Sequence, residues 1–286
     1  MPGMPIPILH TIPEIRAACT GRRVALVPTM GALHEGHAAL IRAAATEGAF
    51  VVVSVFVNPT QFGPREDFAK YPRTLEADRA LSAAAGADAI FAPAAEEMYP
   101  AGCLAYAEVP KLDGVLCGPR RPGHFRGVCT VVLKLFNIVQ PEVAVFGAKD
   151  AQQSIILKTM VKDLNIPVRM RIEPTVREAD GLAMSSRNRY LAPEERALAP
   201  RIHAALQSVA ERVRTGETDV PALERGLNAA LAAIPGARID YAEIRDAETL
   251  ETLDRLDRPA LAAVALVLGT TRLIDNIVLA DDPKPT

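Results

Sequence analysis

VALVPTMGALHEGHAALIRAAA (residues 24–45) passes from four apolar residues, through a segment carrying Gly31 and Gly36, into an alanine-rich stretch with helical spacing. That change of period is the first half of a strand–helix–strand unit. Working outward, β-branched runs recur at VVVSVFV (51–57), DAIFA (88–92), VAVF (143–146) and VRMRI (168–172), with helical patterns between them. The alternation predicts an α/β chain with a parallel sheet. HFRGVCTVVLKLFNIVQP (124–141) puts Val128, Val131, Val132 and Leu135 on one helix face and is stopped by Pro141. DAQQSIILKTMVKDLN (150–165) repeats the pattern. After Pro174 the texture changes: ERALAPRIHAALQSVAERVRTG and VPALERGLNAALAAIPG read as two helices, and ARIDYAEI, LAAVALVLG and RLIDNIVLA as strands joined by short turns. The expected organisation is a larger domain over residues 1–175 and a second, smaller α+β domain over 176–286.

A chain of 286 residues has room for two cores. With 49% hydrophobic and 23% charged residues it has the composition of a globular protein, and 5% aromatic residues with no Trp predict an aliphatic interior. A net charge of −2 provides no field for a polyanion, so no nucleic-acid partner is expected. Cys19, Cys103, Cys117 and Cys129 form no C-x-x-C pair and read as ordinary thiols. The start, MPGMPIPILH, lacks the charged and apolar regions of a secretory signal, and no run reaches the ~18 apolar residues of a membrane span. A cytoplasmic location with no membrane contact is the expectation.

Ligands of open parallel sheets bind beyond the carboxyl ends of the strands. Here VALV is followed by PTMGALHEGH, VVVSVFV by NPTQFG, and VAVF by GAKDAQQ, three polar segments that such a fold gathers. Gly31 and Gly36 permit close approach of backbone to a ligand, and the helix start offers N–H groups to phosphate. His34 and His37, at i and i+3, share a face and can both donate to phosphate oxygens. A zinc-protease motif fails because Ala38 stands after His37. Lys149 sits where a strand becomes a helix, where a cation opposes the dipole and calls for an anion; Asp150 reads equally well as a helix cap. Gln152 and Gln153 enter an otherwise apolar helix, one of them explained by a solvated face. GLAMSSRNRY (181–190) suits a mobile loop closing over phosphates, and RRPGHFRG (120–127) is a second basic turn. Neither G-x-x-x-x-G-K-[ST] nor G-x-G-x-x-G follows the first strand, which argues against P-loop and dehydrogenase chemistry.

PTMGALHEGH, FVNPTQFG, YPRT, RPGHFRGV, FGAKDAQQ and VREADGLAMSSRNRYL, in this order, resemble the pantoate–β-alanine ligase (pantothenate synthetase) family, densely over residues 20–195. The resemblance implies a Rossmann-like, doubly wound domain related to class I aminoacyl-tRNA synthetases, with HEGH (34–37) as the His-x-Gly-His signature and MSSR (184–187) as the mobile loop. It implies a cytoplasmic homodimer that condenses (R)-pantoate with β-alanine, using ATP with Mg²⁺ and releasing AMP and pyrophosphate through a pantoyl-adenylate. Carried over, Met30, Gly31, Ala32, Leu33, His34, Glu35, Gly36, His37, Gly147, Ala148, Lys149, Asp150, Val176, Met184, Ser185, Ser186 and Arg187 line the ATP site. His34, His37, Lys149 and Arg187 act in catalysis, with His37 as proton donor. Gln61 and Gln153 hold pantoate, with Asn58, Tyr71 and Arg121 as further contacts. Asp78 and Asp150 are the expected metal ligands. Two positions depart from the family pattern: Ala148 stands where an acid is expected, and Thr60, in place of methionine, is expected to loosen an apolar wall.

The residues suit that chemistry. A carboxylate with a pKa of about 4 is ionised at pH 7 and needs no general base, so the demand falls on fixed donors and cations facing the departing pyrophosphate. The β-alanine amine, with a pKa near 10, must lose a proton before it attacks, to His37 or to the AMP phosphate. Two alternatives remain from sequence: another His-x-Gly-His nucleotidylyltransferase, which leaves no free AMP, and a non-catalytic nucleotide-binding regulator.

Overall fold

The computed structural model describes residues 6–279 except 65 and 67. Two compact units are distinguished. The first comprises the chain up to residue 113 together with 118–148 and 156–174; the second comprises 114–117, 149–155 and everything from 175 onward.

The first unit is built on a six-stranded sheet: β1 (Ile8–Leu9), β2 (Val24–Thr29), β3 (Phe50–Val55), β4 (Ala89–Phe91), β5 (Val143–Gly147) and β6 (Arg169–Glu173). The order is β1-β4-β3-β2-β5-β6, and every pairing is parallel. Helices follow β2 (Glu35–Ala45), β3 (Leu75–Ala85), β4 (His124–Val139) and β5 (Ala151–Asp163), as the alternating pattern requires. The central strands are buried on both faces, so they read as unbroken apolar runs rather than alternating ones. Ala25, Val27, Val51, Val53, Ile90, Val143 and Val145 share a core with Ala38, Ile41 and Ala44 of the helix that follows β2, while the intervening Leu26, Val52, Phe91 and Ala144 are equally inaccessible on the other side.

Strand β1 is an addition to the elements read from sequence. It pairs with β4 over only Ile8 and Leu9, too short and too proline-flanked to carry a period. The chain runs β2, β3, β4 to one side and then returns to place β5 on the other flank of β2. The topological switch point therefore lies between the carboxyl ends of β2 and β5, at Thr29 and Gly147, where a crevice opens in folds of this kind.

The second unit contains an antiparallel sheet, β7 (Ala237–Asp246), β8 (Ala260–Leu268) and β9 (Thr271–Leu279), in that order. Helices Arg201–Arg214 and Val220–Ala232 supply Ile202, Leu206, Val209, Leu223 and Leu227 to its core. The near-continuous apolar run of β8 reflects its central place in the sheet.

Candidate active site

The loop leaving β2 makes an unusual turn. Gly31 (φ 82°) and Ala32 (φ 51°) are consecutive left-handed residues, and the N–H groups of Ala32 and Leu33 meet on one carboxylate. That carboxylate is Asp78, 2% exposed. The Ala32 N–H donates to Oδ2 at 3.1 Å, and the Leu33 N–H and Thr74 Oγ1 donate to Oδ1 at 2.8 and 3.2 Å. Glycine is required at 31 twice over: beyond its φ, a Cβ would lie 2.9 Å from Val55 Cγ1 and 3.0 Å from Asp78 Oδ2. This corrects the expected role of Asp78, whose carboxylate is committed to the loop backbone instead of facing outward for a metal. The Ala32 and Leu33 N–H groups are likewise engaged by Asp78.

At the helix start the two histidines cap each other's turn. His34 Nδ1 accepts from the Gly36 N–H at 3.1 Å, and His37 Nδ1 accepts from the His34 N–H at 3.3 Å. Asp or Ser would make the same cap more cheaply. A histidine doing so has its tautomer fixed: with Nδ1 as acceptor, the proton of the neutral ring sits on Nε2. The rings are 4.2 Å apart between centroids. Glu35 is exposed and its carboxylate is paired with Arg42, which leaves its backbone for any ligand role.

Beyond β3, Gln61 is 8% and Asn58 1% exposed. Gln61 Nε2 donates to Met30 Sδ at 2.9 Å, joining the NPTQ turn to the loop after β2. Asn58 Nδ2 donates to Gln61 Oε1 and to the Gly127 carbonyl, each at 3.1 Å. All the polar capacity of Asn58 is directed into protein, which gives it a supporting place rather than a substrate contact. Thr60 does not loosen an apolar wall: its Oγ1 donates to Asn58 Oδ1 at 2.9 Å and lies 3.3 Å from Tyr99 Oη. Arg121 donates from Nε to Glu66 Oε1 at 2.7 Å and its Nη1 lies 2.9 Å from His124 Nε2. Burial works against the Glu66 charge, but the Arg121 guanidinium outweighs it and holds that carboxyl below its ordinary range. His124 Nδ1 in turn lies 2.8 Å from the Gln61 carbonyl oxygen. Tyr71 is buried, edge-on to Phe62.

In the second unit, Lys149 and Asp150 lie in a short 3-10 turn, Lys149 half-buried and Asp150 exposed. The Lys149 carbonyl accepts from Asn276 Nδ2 of β9 at 2.8 Å. Gln152 is consumed locally, its Oε1 accepting from the Cys117 N–H at 3.0 Å and its Nε2 donating to the Val115 carbonyl at 2.8 Å; Gln153 is the half-buried one. Val176 and Met184 close a small hairpin, with Met184 N–H donating to the Val176 carbonyl at 3.0 Å and Arg177 bridged to Ala183. Arg177 grips Asp275 of β9 through two bonds, of 2.7 and 2.9 Å. From this base the chain enters the turn Ser186–Tyr190, capped by Ser185 Oγ on the Arg187 N–H at 3.3 Å. Asn188 ties it down, donating to Glu178 Oε1 at 2.6 Å. Sequence reasoning missed Tyr99, Asp275 and Asn276. The last two carried a readable signal, two polar residues in the middle of an apolar strand, which a buried position demands be bonded.

A model of the family described as pantoate-beta-alanine ligase matches residues 7–278. The chain belongs to the pantoate–β-alanine ligase family. Among relatives of this ligase, the pantothenate synthetase of Moorella thermoacetica is 54% identical over 277 residues, 95% of this chain and 98% of that protein. That of Geobacter sulfurreducens is 52% identical over 263 residues, 92% of this chain and 93% of that protein. The crystal structure of pantothenate synthetase from Thermus thermophilus matches with a TM-score of 0.92 at 48% identity, covering 95% of this chain and 99% of that one. The ligase from Francisella tularensis, complexed with beta-gamma ATP and beta-alanine, matches with a TM-score of 0.77 at 33% identity, covering 96% and 97%. Among the described residues of this ligase, no helix is long and apolar enough to cross a membrane.

Proposed function

We propose that the enzyme joins (R)-pantoate to β-alanine with ATP, forming pantoyl-adenylate and pyrophosphate first and pantothenate and AMP second. The observation that carries the reading is the reciprocal histidine cap, which fixes two Nε2–H donors on the loop leaving β2 at the switch point. The pantoate carboxylate attacks the α-phosphate already ionised; the charge that grows on the leaving pyrophosphate is what the protein must meet. His34 and His37 meet it through Nε2–H, and Lys149, Ser185, Ser186 and Arg187 supply further donors and charge. Gly147, Ala148, Val176 and Met184 contribute walls and backbone to the nucleotide. Gln61 and Gln153 hold pantoate. Arg121, neutralised by Glu66, acts by shaping the Gln61 turn, and Tyr71 by packing behind it.

No group of three or more His, Cys, Asp or Glu that could hold a metal occurs among the described residues. Mg²⁺ characteristically takes one or two carboxylates, with the substrate's phosphates and water completing the shell. Exposed Asp150 fits as the carboxylate; Asp78 does not. The ion would neutralise phosphate charge when bound. The four cysteines are free thiols, in keeping with a reducing cytoplasm, and the enzyme is proposed to work as a homodimer, which light scattering tests.

The deciding experiment supplies ATP and pantoate without amine and measures pyrophosphate, then adds β-alanine and measures AMP. The ligase gives pyrophosphate in the first step and AMP in the second. A nucleotidylyltransferase that keeps the nucleotide on its product gives no AMP, and a regulator gives neither.

A further inference from the structure

A hydrogen-bond chain runs from Tyr99 and Thr60 through Asn58 to Gln61, and its polarity is set by the backbone. One side of the Asn58 amide faces the Thr60 N–H at 3.3 Å, which only donates; the other faces the Gly127 carbonyl at 3.1 Å, which only accepts. A single amide orientation satisfies both, with Oδ1 toward Thr60 and Nδ2 toward Gly127. Tyr99 Oη and Thr60 Oγ1, each 2.9 Å from the same Oδ1, reinforce it. The approach depends on residue 127 being glycine, since a Cβ there would lie 2.4 Å from the Thr60 carbonyl oxygen and 2.7 Å from Gln61 Cα.

The second Nδ2 proton of Asn58 goes to Gln61 Oε1 at 3.1 Å. With Gln61 Oε1 engaged by Asn58, the other end of the side-chain amide is Nε2, which has protons and no lone pair to offer. One of those protons is directed at Met30 Sδ; the other is the group Gln61 can present to a ligand.

We propose that Asn58, Thr60 and Tyr99 are positioning residues that make Gln61 an obligate donor, so that the pantoate atom it meets is an acceptor oxygen. This rests on the reading of Gln61 as a pantoate contact. It assigns Tyr99 a part in pantoate affinity, with Thr60 as a second, weaker support of the same oxygen.

The test measures KM for pantoate and for ATP by pyrophosphate release in the wild-type enzyme, Gln61→Met, Tyr99→Phe and the double variant. Gln61→Met should raise the pantoate KM about tenfold, the effect of one lost hydrogen bond, and leave the ATP KM alone. Tyr99→Phe should raise the pantoate KM about threefold, and should have no further effect in the Gln61→Met background, because it acts only through Gln61. Gln61→Glu, which cannot donate, should be worse than Gln61→Met. An unaltered pantoate KM in Gln61→Met removes Gln61 from the pantoate site and overturns the underlying reading. A Gln61→Met effect accompanied by a silent Tyr99→Phe, by multiplicative effects in the double variant, or by an equal rise in the ATP KM, overturns the relay alone.

Discussion

Replacing Asp78 by Asn separates a loop anchor from a metal ligand. The carboxylate receives the Ala32 and Leu33 N–H groups on different oxygens, and an amide can keep only one of them. With its oxygen toward Leu33 and Thr74, the new NH₂ faces the Ala32 N–H, donor against donor. The loss is one hydrogen bond to a charged acceptor, about 1.5–3 kcal/mol, and one buried N–H left unpaired, about 1–3 kcal/mol. The two overlap, so about 3 kcal/mol is a working figure. For a unit of this size 1 kcal/mol moves Tm by about 2–4 °C, which gives a fall of about 6–12 °C for the first unit. Pyrophosphate release should fall as well, since the turn delivers His34 to its place, but the Mg²⁺ concentration for half-maximal rate should not change. Calorimetry and a magnesium titration on the same sample decide the matter. An unshifted Tm with a several-fold higher magnesium requirement would refute the anchoring argument and return Asp78 to the metal.

His34→Asp keeps a good helix cap while deleting the Nε2 donor; we expect Tm within about 2 °C of wild type and pyrophosphate release reduced ~10²–10³-fold, and an active variant would reduce the histidine to a cap. Lys149→Ala should lower adenylate formation at least ~10²-fold with the fold intact, read by pyrophosphate release and circular dichroism. Asn276→Leu removes the donor to the Lys149 carbonyl and should cost about tenfold in the same assay, and a wild-type rate would show that the Lys149 turn holds its place unaided. Asp246 yields the pH prediction: burial opposes its charge, but the Thr249 and Glu248 N–H groups and Arg258 outweigh it and hold the carboxyl at about 2, against an ordinary 3.8. A depressed carboxyl stabilises the folded state above its unfolded pKa, and the contribution disappears as pH falls from about 4 through 2. With the side chain 8% exposed, that is about 2 kcal/mol. Denaturant melts of the wild type and Asp246→Asn should differ at pH 6 and converge near pH 2; a constant gap would refute it.

What the sequence made legible follows from how far each interaction reaches. The strand–helix alternation is local, carried by periods that any window of a dozen residues displays, and five strands of the parallel sheet and the three strands of the smaller unit were readable from it, whereas the two-residue β1 was not. The polar segments after β2, β3 and β5 marked the strand ends where ligands bind, while the switch point between β2 and β5 needed the strand order. Residue types at those ends were also visible, but their partners were not. Asp78 and Asn58 are types that hold metals and substrates, and nothing nearby reveals that their acceptors and donors are taken. Asp78 is filled by N–H groups 45 and 46 positions away, and Asn58 by a tyrosine 41 positions on and a carbonyl 69 positions on. The histidines show the intermediate case. Their spacing of three announced a shared face, while their use of Nδ1 as mutual caps depends on the extended backbone at His34 (φ −140°, ψ 179°), a torsion no composition encodes. The consequence bears on the proposed chemistry: a neutral histidine with Nδ1 occupied carries its proton at Nε2, so the local cap that sets the helix start also sets which ring atom the proposed reaction must use.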